Sequence, residues 1–158
     1  MSEAPHRVLL VDDEEIVTGS IKTFLNLETN YEVIAFNSPR QALEFLKHNP
    51  VDLVIADLLM PDMNGIDFLA ATKRLHPDAV RVLLTGYADK ENAIKAINEI
   101  GLYQYLEKPW DNDHLRRVIA AGLERRRILK RLHDKIAEAE RVLVELREIE
   151  RQIQKTLT

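Results

Sequence analysis

The sequence predicts an α/β fold, a doubly wound sheet of five parallel strands with helices on both faces. Apolar segments of strand length alternate five times with segments whose apolar residues follow helical spacing. Parallel neighbours need such helical crossovers. The strands that begin near Arg7, Val51 and Val80 are almost continuously apolar, which is typical of a sheet covered on both faces.

Each predicted element has support in its local sequence. The strands are short apolar or β-branched runs, and the helices carry apolar side chains near helical spacing. Ser38 and Pro39 supply an N-cap and a first-turn proline for the second helix. Pro109 ends the fifth strand, and Asp111 or Asn112 caps the final helix. The predicted strands are Arg7–Val11, 31–36, 51–56, Val80–Thr85 and 103–106. The predicted helices are 15–27, 39–47, Gly65–Leu75, Lys90–Ile100 and a last helix from about Asn112 onward.

Composition indicates a globular chain with two parts of different charge. Hydrophobic residues make up 46% and charged residues 30%, and no uncharged stretch is long enough to span a bilayer. The absence of cysteine excludes disulfides and thiolate metal sites, and the start lacks the apolar core of a secretion signal. We therefore expect a cytoplasmic protein without a membrane segment. Residues 1–122 carry a net charge of -7 and residues 123–158 one of +3, within an overall -4.

The predicted organisation is a domain over residues 6–122, followed by a coiled-coil helix over residues 123–158 that continues the last helix of the domain. After Pro109 only Gly122 interrupts the helical pattern. With Leu129 at position a, eight of nine a and d positions over four heptads are apolar. The nine are Leu129, Leu132, Ile136, Ala139, Leu143, Leu146, Glu150, Ile153 and Leu157.

This stripe favours self-association through residues 123–158, and we expect a constitutive homodimer. Glu150 at a core position costs stability and is placed to set register or partner choice. Val142 and Ile149 fall at g and widen the stripe, so a larger bundle also fits the pattern. The alternative is a helix packed back on its own domain. At roughly 1.5 Å per residue, such a helix would run past a domain of this size.

Acidic, hydroxyl and amino side chains follow four of the predicted strands. They are Asp12 and Asp13 after the first, Asp57 after the third, Thr85 at the end of the fourth and Lys108 after the fifth. Ligands of a doubly wound sheet bind outside the carboxyl ends of its strands. Converging carboxylates need a cation, and oxygen-only ligands suit Mg²⁺ or Mn²⁺. A carboxylate beside such an ion can attack a phosphoryl group, while a lysine and a hydroxyl contact its oxygens.

Four segments carrying these residues resemble the receiver domain of two-component response regulators, of the chemotaxis-regulator-like kind. The segments are Val8-Leu9-Leu10-Val11-Asp12-Asp13-Glu14, Asp57-Leu58-Leu59-Met60-Pro61-Asp62-Met63-Asn64-Gly65, Thr85-Gly86 and Lys108-Pro109. The resemblance covers residues 6 to about 122. It implies a flavodoxin-like (βα)5 fold with strand order 2-1-3-4-5. It also implies a switched signalling module, not an enzyme of multiple turnover.

The resemblance implies that Asp57 accepts a phosphoryl group from a histidine kinase or a phosphotransfer protein. Asp13, Asp57 and the backbone carbonyl of Leu59 would bind Mg²⁺, with Mn²⁺ as a substitute. Asp12 would act through a coordinated water. No other cofactor is implied.

Further roles follow from the same resemblance. Thr85 and Lys108 would contact the phosphoryl group, and the Lys108–Pro109 peptide would be the cis bond of the family. Tyr105 matches an aromatic switch that turns inward as Thr85 moves toward the phosphate; a half-buried strand aromatic is the other interpretation. Leu59 and Tyr87 stand two residues after Asp57 and Thr85. Neither suits the orientation of an attacking water, which predicts slow loss of phosphate.

The segment Lys108-Pro109-Trp110-Asp111 resembles receivers that precede a long signalling helix and a separate output. Such outputs are HD-GYP phosphodiesterases, nucleotide cyclases, histidine kinases or ATP-dependent transcription activators. We expect the output beyond residue 158, with the coil itself as effector as the alternative. The basic run 125–131 is interpreted as a charged helix face, so direct nucleic-acid binding is not expected.

Three other functions compete with a phosphorylated receiver. A phosphohydrolase of the haloacid-dehalogenase type needs a second acid two residues after its nucleophile, where this chain has Leu59. A dinucleotide-binding domain needs a glycine-rich turn after the first strand, where Asp12 and Asp13 stand. A dimerisation module without phosphorylation would leave the acidic residues without a task.

Overall fold

The computed structural model describes residues 4–157, except for the side chain of Tyr87. Strands and helices alternate along the chain, as the sequence predicts. The strands are β1 (Arg7–Val11), β2 (Glu32–Phe36), β3 (Leu53–Asp57), β4 (Val80–Thr85) and β5 (Gln104–Glu107). The helices are α1 (Glu15–Glu28), α2 (Pro39–His48), α3 (Gly65–Leu75), α4 (Lys90–Ile100) and α5 (Asn112–Leu157).

The five strands form one parallel sheet in the order β2-β1-β3-β4-β5. The predicted fold class and strand order are therefore confirmed. Each central strand is buried on both faces because its side chains alternate between two apolar clusters. Leu10 belongs to the cluster under α1 and α5, whereas Leu9 belongs to the cluster under α2, α3 and α4. This packing fixes the carboxyl ends of β1, β3 and β4 at one edge of the sheet.

Several element boundaries differ by one or two residues from the predicted ones, most clearly those of the third and fifth strands. The third strand runs from Leu53 to Asp57 instead of 51–56. It starts later because the backbone amide of Arg7 donates to the side chain of Asp52 at 2.7 Å, so a carboxylate replaces a strand carbonyl there. It ends later because Asp57 still pairs with Leu84 of β4. The fifth strand is shifted by one residue toward the carboxyl end. A 3-10 turn over Tyr87–Asp89, which was not predicted, precedes α4.

The predicted helix caps of α2 and α5 are present. Ser38 accepts a hydrogen bond from the amide of Gln41, and Pro39 is the first residue of α2. Asp111 accepts a hydrogen bond from the amide of Asp113 at 3.0 Å and so caps the start of α5.

The chain divides into two compact units, with the boundary between Leu123 and Glu124. Gly122 lies in α5 where a side chain would press on Val80 and Tyr103, which explains a glycine inside this helix. In the second unit, the residues up to Leu157 are helical and, apart from the half-buried Arg126, exposed. Within residues 4–157, no helix combines the length and apolar composition that a membrane span requires.

Candidate functional site

Three carboxylates meet at the carboxyl edge of the sheet. One carboxylate oxygen from each of Asp12, Asp13 and Asp57 lies within 4.8 Å of the other two. Asp12 and Asp57 are buried, with 1% and 5% of their surface exposed, whereas Asp13 is exposed. The site is therefore a pocket with one open side.

The fold positions these carboxylates through its backbone. Asp57 is the last residue of β3, and β1 lies beside it in the sheet. The Asp12 amide donates to the Phe36 carbonyl at 3.2 Å, and the amide of Glu14 donates to Asp12 Oδ1 at 2.9 Å. Gly65 packs against the Asp57 carbonyl so closely that a Cβ there would clash with it. The loop from β3 to α3 thus returns tightly over the site.

Lys108 supplies the positive charge of the pocket. Its Nζ lies 2.9 Å from Asp12 Oδ2 and 3.1 Å from Asp57 Oδ1. Its backbone amide donates to the Thr85 carbonyl at 2.9 Å, and the Lys108–Pro109 peptide is cis. The lysine is thereby held between the ends of β4 and β5 while its side chain reaches across to β1 and β3.

Burial and mutual repulsion shift the acidity of the pocket. Burial, and then the charge of Asp12, raise the pKa of Asp57 to about 6. Burial also raises the pKa of Asp12, against the opposing effect of Lys108. Burial alone would lower the pKa of Lys108, but its contacts with Asp12 and Asp57 raise it overall. The pocket therefore destabilises the charged form of Asp57 relative to its protonated form.

The carboxylate cluster fits a hard divalent cation. Its ligand atoms are oxygens only, and they converge within 4.8 Å. A cation would also relieve the repulsion by Asp12 that adds to burial in raising the pKa of Asp57. Within the described residues this is the one such cluster of acidic or histidine side chains, and none of the five histidines belongs to it. Mg²⁺ and Mn²⁺ match this donor set.

The remaining predicted residues lie around the pocket. Thr85 is fully buried, and its hydroxyl donates to the Gly86 carbonyl at 3.1 Å. Leu59 is 65% exposed beside the site. Tyr87 follows Thr85 by two residues, but its side chain lies outside the described part of the structure.

Tyr105 is half-buried on β5 and packs against the apolar cluster under α2, α3 and α4. It also lines a surface cavity of about 380 Å³ with Lys90, Trp110 and His114. Lys90 Nζ lies 3.6 Å from Glu107 Oε1, which joins the start of α4 to β5 beside this cavity. Tyr105 therefore lies beside this cavity, close to the ion pair that joins α4 and β5.

Sequence reasoning missed one supporting residue. Asn37, directly after β2, donates through Nδ2 to the Asp12 carbonyl at 2.9 Å and to Thr18 Oγ1 at 3.0 Å. It ties the loop that carries the acid pair to α1. Its position at the carboxyl end of a strand was the available signal, because polar side chains there face the site.

Comparison with known proteins agrees with this geometry. The family model for the response regulator receiver domain matches residues 8–120. The hydrogenase transcriptional regulatory protein HoxA of Cupriavidus necator is 35% identical over 124 residues, which is 78% of this chain and 25% of that protein. The chain thus spans about a quarter of the length of the curated relatives it matches.

Solved structures are similar as well. The signal receiver domain of an HD domain-containing protein from Pseudomonas fluorescens Pf-5 is 35% identical with a TM-score of 0.73, covering 78% of this chain and 98% of that one. An adenylate cyclase from Rhodopirellula baltica is 27% identical with a TM-score of 0.78, covering 84% and 98%. The match to the family model over most of the chain places this protein in the response regulator receiver domain family of two-component signalling.

Proposed function

We propose that Asp57 accepts a phosphoryl group from a histidine kinase or a phosphotransfer protein, and that the chain acts as a phosphorylation-dependent switch. The observation that carries this proposal is the pocket in which Asp57 lies with Asp12 and Asp13 while Lys108 Nζ contacts both buried carboxylates. A buried carboxylate between a cation site and an ammonium group is equipped for phosphoryl transfer.

The proposed metal ligands are Asp13, Asp57 and the backbone carbonyl of Leu59, with Asp12 acting through a coordinated water. When bound, Mg²⁺ would supply charge neutralisation at the phosphoryl oxygens. The donor set and the crowding of charge support this assignment.

Asp57, Lys108 and Thr85 have separate roles in the proposed phosphoryl transfer. An ionised Asp57 oxygen bonds to phosphorus as the bond from phosphorus to the donor histidine nitrogen breaks. The donor ring carries a proton on its other nitrogen, so it leaves with the electron pair as a neutral imidazole. Lys108, already 3.1 Å from Asp57 Oδ1, binds a phosphoryl oxygen. Thr85 exchanges its hydrogen bond to the Gly86 carbonyl for one to a second phosphoryl oxygen.

Signal transmission is proposed to pass from Thr85 to Tyr105. Movement of Thr85 toward the phosphate vacates space that Tyr105 enters from the cavity it shares with Lys90 and Trp110. The change at the α4–β5 surface would then reach the output. HoxA is named a transcriptional regulatory protein. We propose that the output lies beyond residue 158, and a transcription regulator or another output domain fits this proposal.

The C-terminal helix is proposed to join two copies of the chain as a homodimer through residues 123–158. The large apolar residues exposed along this helix support it. They are Ile128, Leu129, Leu132, Ile136, Val142, Leu143, Val144, Leu146, Ile149, Ile153 and Leu157. An exposed apolar stripe of this length is typical of an interface.

Incubation with acetyl phosphate and Mg²⁺ tests the phosphoacceptor. The parent chain and Asp62→Asn should each gain one hydroxylamine-labile phosphoryl group per chain, whereas Asp57→Asn should gain none. Asp62 is a matched control because it is an exposed acid five residues away with a positive φ of 71°, a conformation that asparagine tolerates. Equal phosphorylation of Asp57→Asn and the parent would refute the assignment.

A further inference from the structure

The second unit carries an exposed apolar stripe along residues 124–157, and this stripe needs a partner that covers it. Removing large apolar side chains from water is favourable, so a stripe of this length has a strong tendency to be covered. Its occupant must offer an equally long apolar face. Among the other described helices the longest is α1, with 14 residues. A second copy of the same helix is therefore the matching partner.

Two heptad frames compete for this interface. Both share the d positions Leu132, Ala139, Leu146 and Ile153. In the first frame the interface, here called the seam, is formed by positions a and d. This frame places Glu150, at position a, in the seam. In the second frame the seam is formed by positions d and g. This frame places Lys135 and Thr156, both at position g, in the seam. Each frame alone therefore buries a charged side chain against its own copy, and burial of an unpaired charge is costly.

A change of frame removes this conflict. Toward the N-terminal end, position a holds Ile136 while g holds Lys135. Toward the C-terminal end the preference reverses, because g holds Ile149 while a holds Glu150. Between them, g and a are both apolar, as Val142 and Leu143, so the crossover buries no polar group.

We propose that two copies of this helix associate along a seam that changes face at Val142 and Leu143. The seam uses positions a and d before this point and positions d and g after it. Lys135 and Glu150 remain at the edge, where Lys135 Nζ is already 3.5 Å from Glu138 of its own helix. This inference rests on the homodimer proposed above and specifies its interface.

The crossover has a geometric consequence. Neighbouring heptad positions on the helix surface are separated by about 50°, so the seam rotates by that amount around each helix. The usual alternation of four- and three-residue spacings is interrupted at Ile136, Ala139 and Val142, which are separated by two successive intervals of three residues. Such an inserted three-residue step locally overwinds a coiled coil.

Matched glutamine variants of the full chain test the crossover by sedimentation equilibrium. Glutamine keeps helix propensity and removes only the apolar group or the charge. Ile136→Gln and Ile149→Gln should each weaken dimerisation by about 10-fold or more, which corresponds to roughly 1.4 kcal/mol. Lys135→Gln and Glu150→Gln should each change it by less than about 3-fold.

Other outcomes would overturn the proposal. A seam that keeps a and d throughout predicts that Glu150→Gln strengthens the dimer and Ile149→Gln leaves it unchanged. A seam on d and g throughout predicts strengthening by Lys135→Gln and no effect of Ile136→Gln. A monomeric parent chain contradicts any seam.

A second measurement guards against variants that fail to fold. The chain contains no cysteine, so single cysteines at these four positions can be alkylated in an otherwise unreactive chain. Ile136→Cys and Ile149→Cys should react several-fold more slowly than Lys135→Cys and Glu150→Cys. Acetyl phosphate labelling of each variant separates the two proposals, because failure of phosphorylation with an intact dimer refutes only the role of Asp57.

Discussion

Lys108 Nζ lies 3.1 Å from Asp57 Oδ1 and at the same time 2.9 Å from Asp12 Oδ2. One ammonium group therefore holds the two buried carboxylates of the pocket together. The lysine reaches them because its own backbone amide is fixed by the Thr85 carbonyl. The ammonium group that would bind a phosphoryl oxygen is thus in place before phosphorylation. Through these contacts Lys108 also connects the carboxyl ends of β1, β3, β4 and β5.

Lys108→Gln should destabilise the fold in the absence of divalent cations. The change leaves Asp12 and Asp57 close together without the neutralising charge, at a cost on the order of 1–3 kcal/mol near pH 7.5. The loss should be smaller near pH 4.5, because Asp57, with a pKa of about 6, is then protonated. Urea unfolding at both pH values measures it. Lys95→Gln, at an exposed helix pair with Glu99, is the control and should have little effect.

Asp57→Asn should stabilise the metal-free protein at pH 7.5. The pKa of Asp57 rises from 3.8 to about 6 on folding, so the folded state binds more protons than the unfolded state between these values. The free energy of unfolding of the parent therefore falls as pH rises through this window. Above the window the folded parent is destabilised by the full effect of ionised Asp57. Two pKa units correspond to roughly 3 kcal/mol. The lost contact with Lys108 reduces the expected gain to about 1–2 kcal/mol.

The advantage of Asp57→Asn should shrink toward pH 4, because this pH lies close to the lower end of the window between 3.8 and about 6, where little of the destabilisation remains. It should also shrink in Mg²⁺, since the ion binds the folded parent more tightly than the variant. Chemical unfolding at pH 4 and 7.5, with and without Mg²⁺, provides the comparison. A variant less stable than the parent at pH 7.5 without Mg²⁺ would disprove a strained Asp57.

The phosphorylated parent should lose phosphate more slowly than the double variant Leu59→Asn with Tyr87→Glu. Leu59 is exposed beside the pocket and has no group that can orient water, whereas an amide and a carboxylate can do so. We expect the double variant to be roughly 10-fold faster or more. Phosphate release after removal of the donor gives both rates. A faster parent would contradict the assignment of these two positions.

Beryllofluoride, an analogue of the phosphoryl group, should change the fluorescence of Trp110. This is the only tryptophan in the sequence, and it lines the same cavity as Tyr105. Inward movement of Tyr105 would alter its surroundings. Tyr105→Ala should abolish most of the change while beryllofluoride still protects the fold against unfolding. An unchanged response in Tyr105→Ala would exclude Tyr105 as the switch.

Much of the fold could be predicted because its signals are local. The largely apolar run of β4 and the cap formed by Ser38 and Pro39 each determine an element without reference to the rest of the chain. The start of β3 could not be predicted, because it depends on the contact between Arg7 and Asp52, 45 residues apart in sequence.

The site shows the same division. The strand ends predicted that Asp12, Asp57 and Lys108 converge, since parallel strands share one edge. The role of Asn37 depends on a long-range contact with the Asp12 carbonyl. The present hydrogen bond of Thr85 to Gly86 depends on a rotamer, which no sequence pattern fixes.

Localisation of the phosphoryl group tests the central claim most directly. Borohydride reduces an aspartyl phosphate to homoserine, so mass spectrometry of the reduced peptides identifies the residue that carried it. After acetyl phosphate with Mg²⁺, homoserine should occur at position 57 alone, and chelation of Mg²⁺ should remove it. Homoserine at position 12 or 13, or labelling that persists at other residues in Asp57→Asn, would contradict the account.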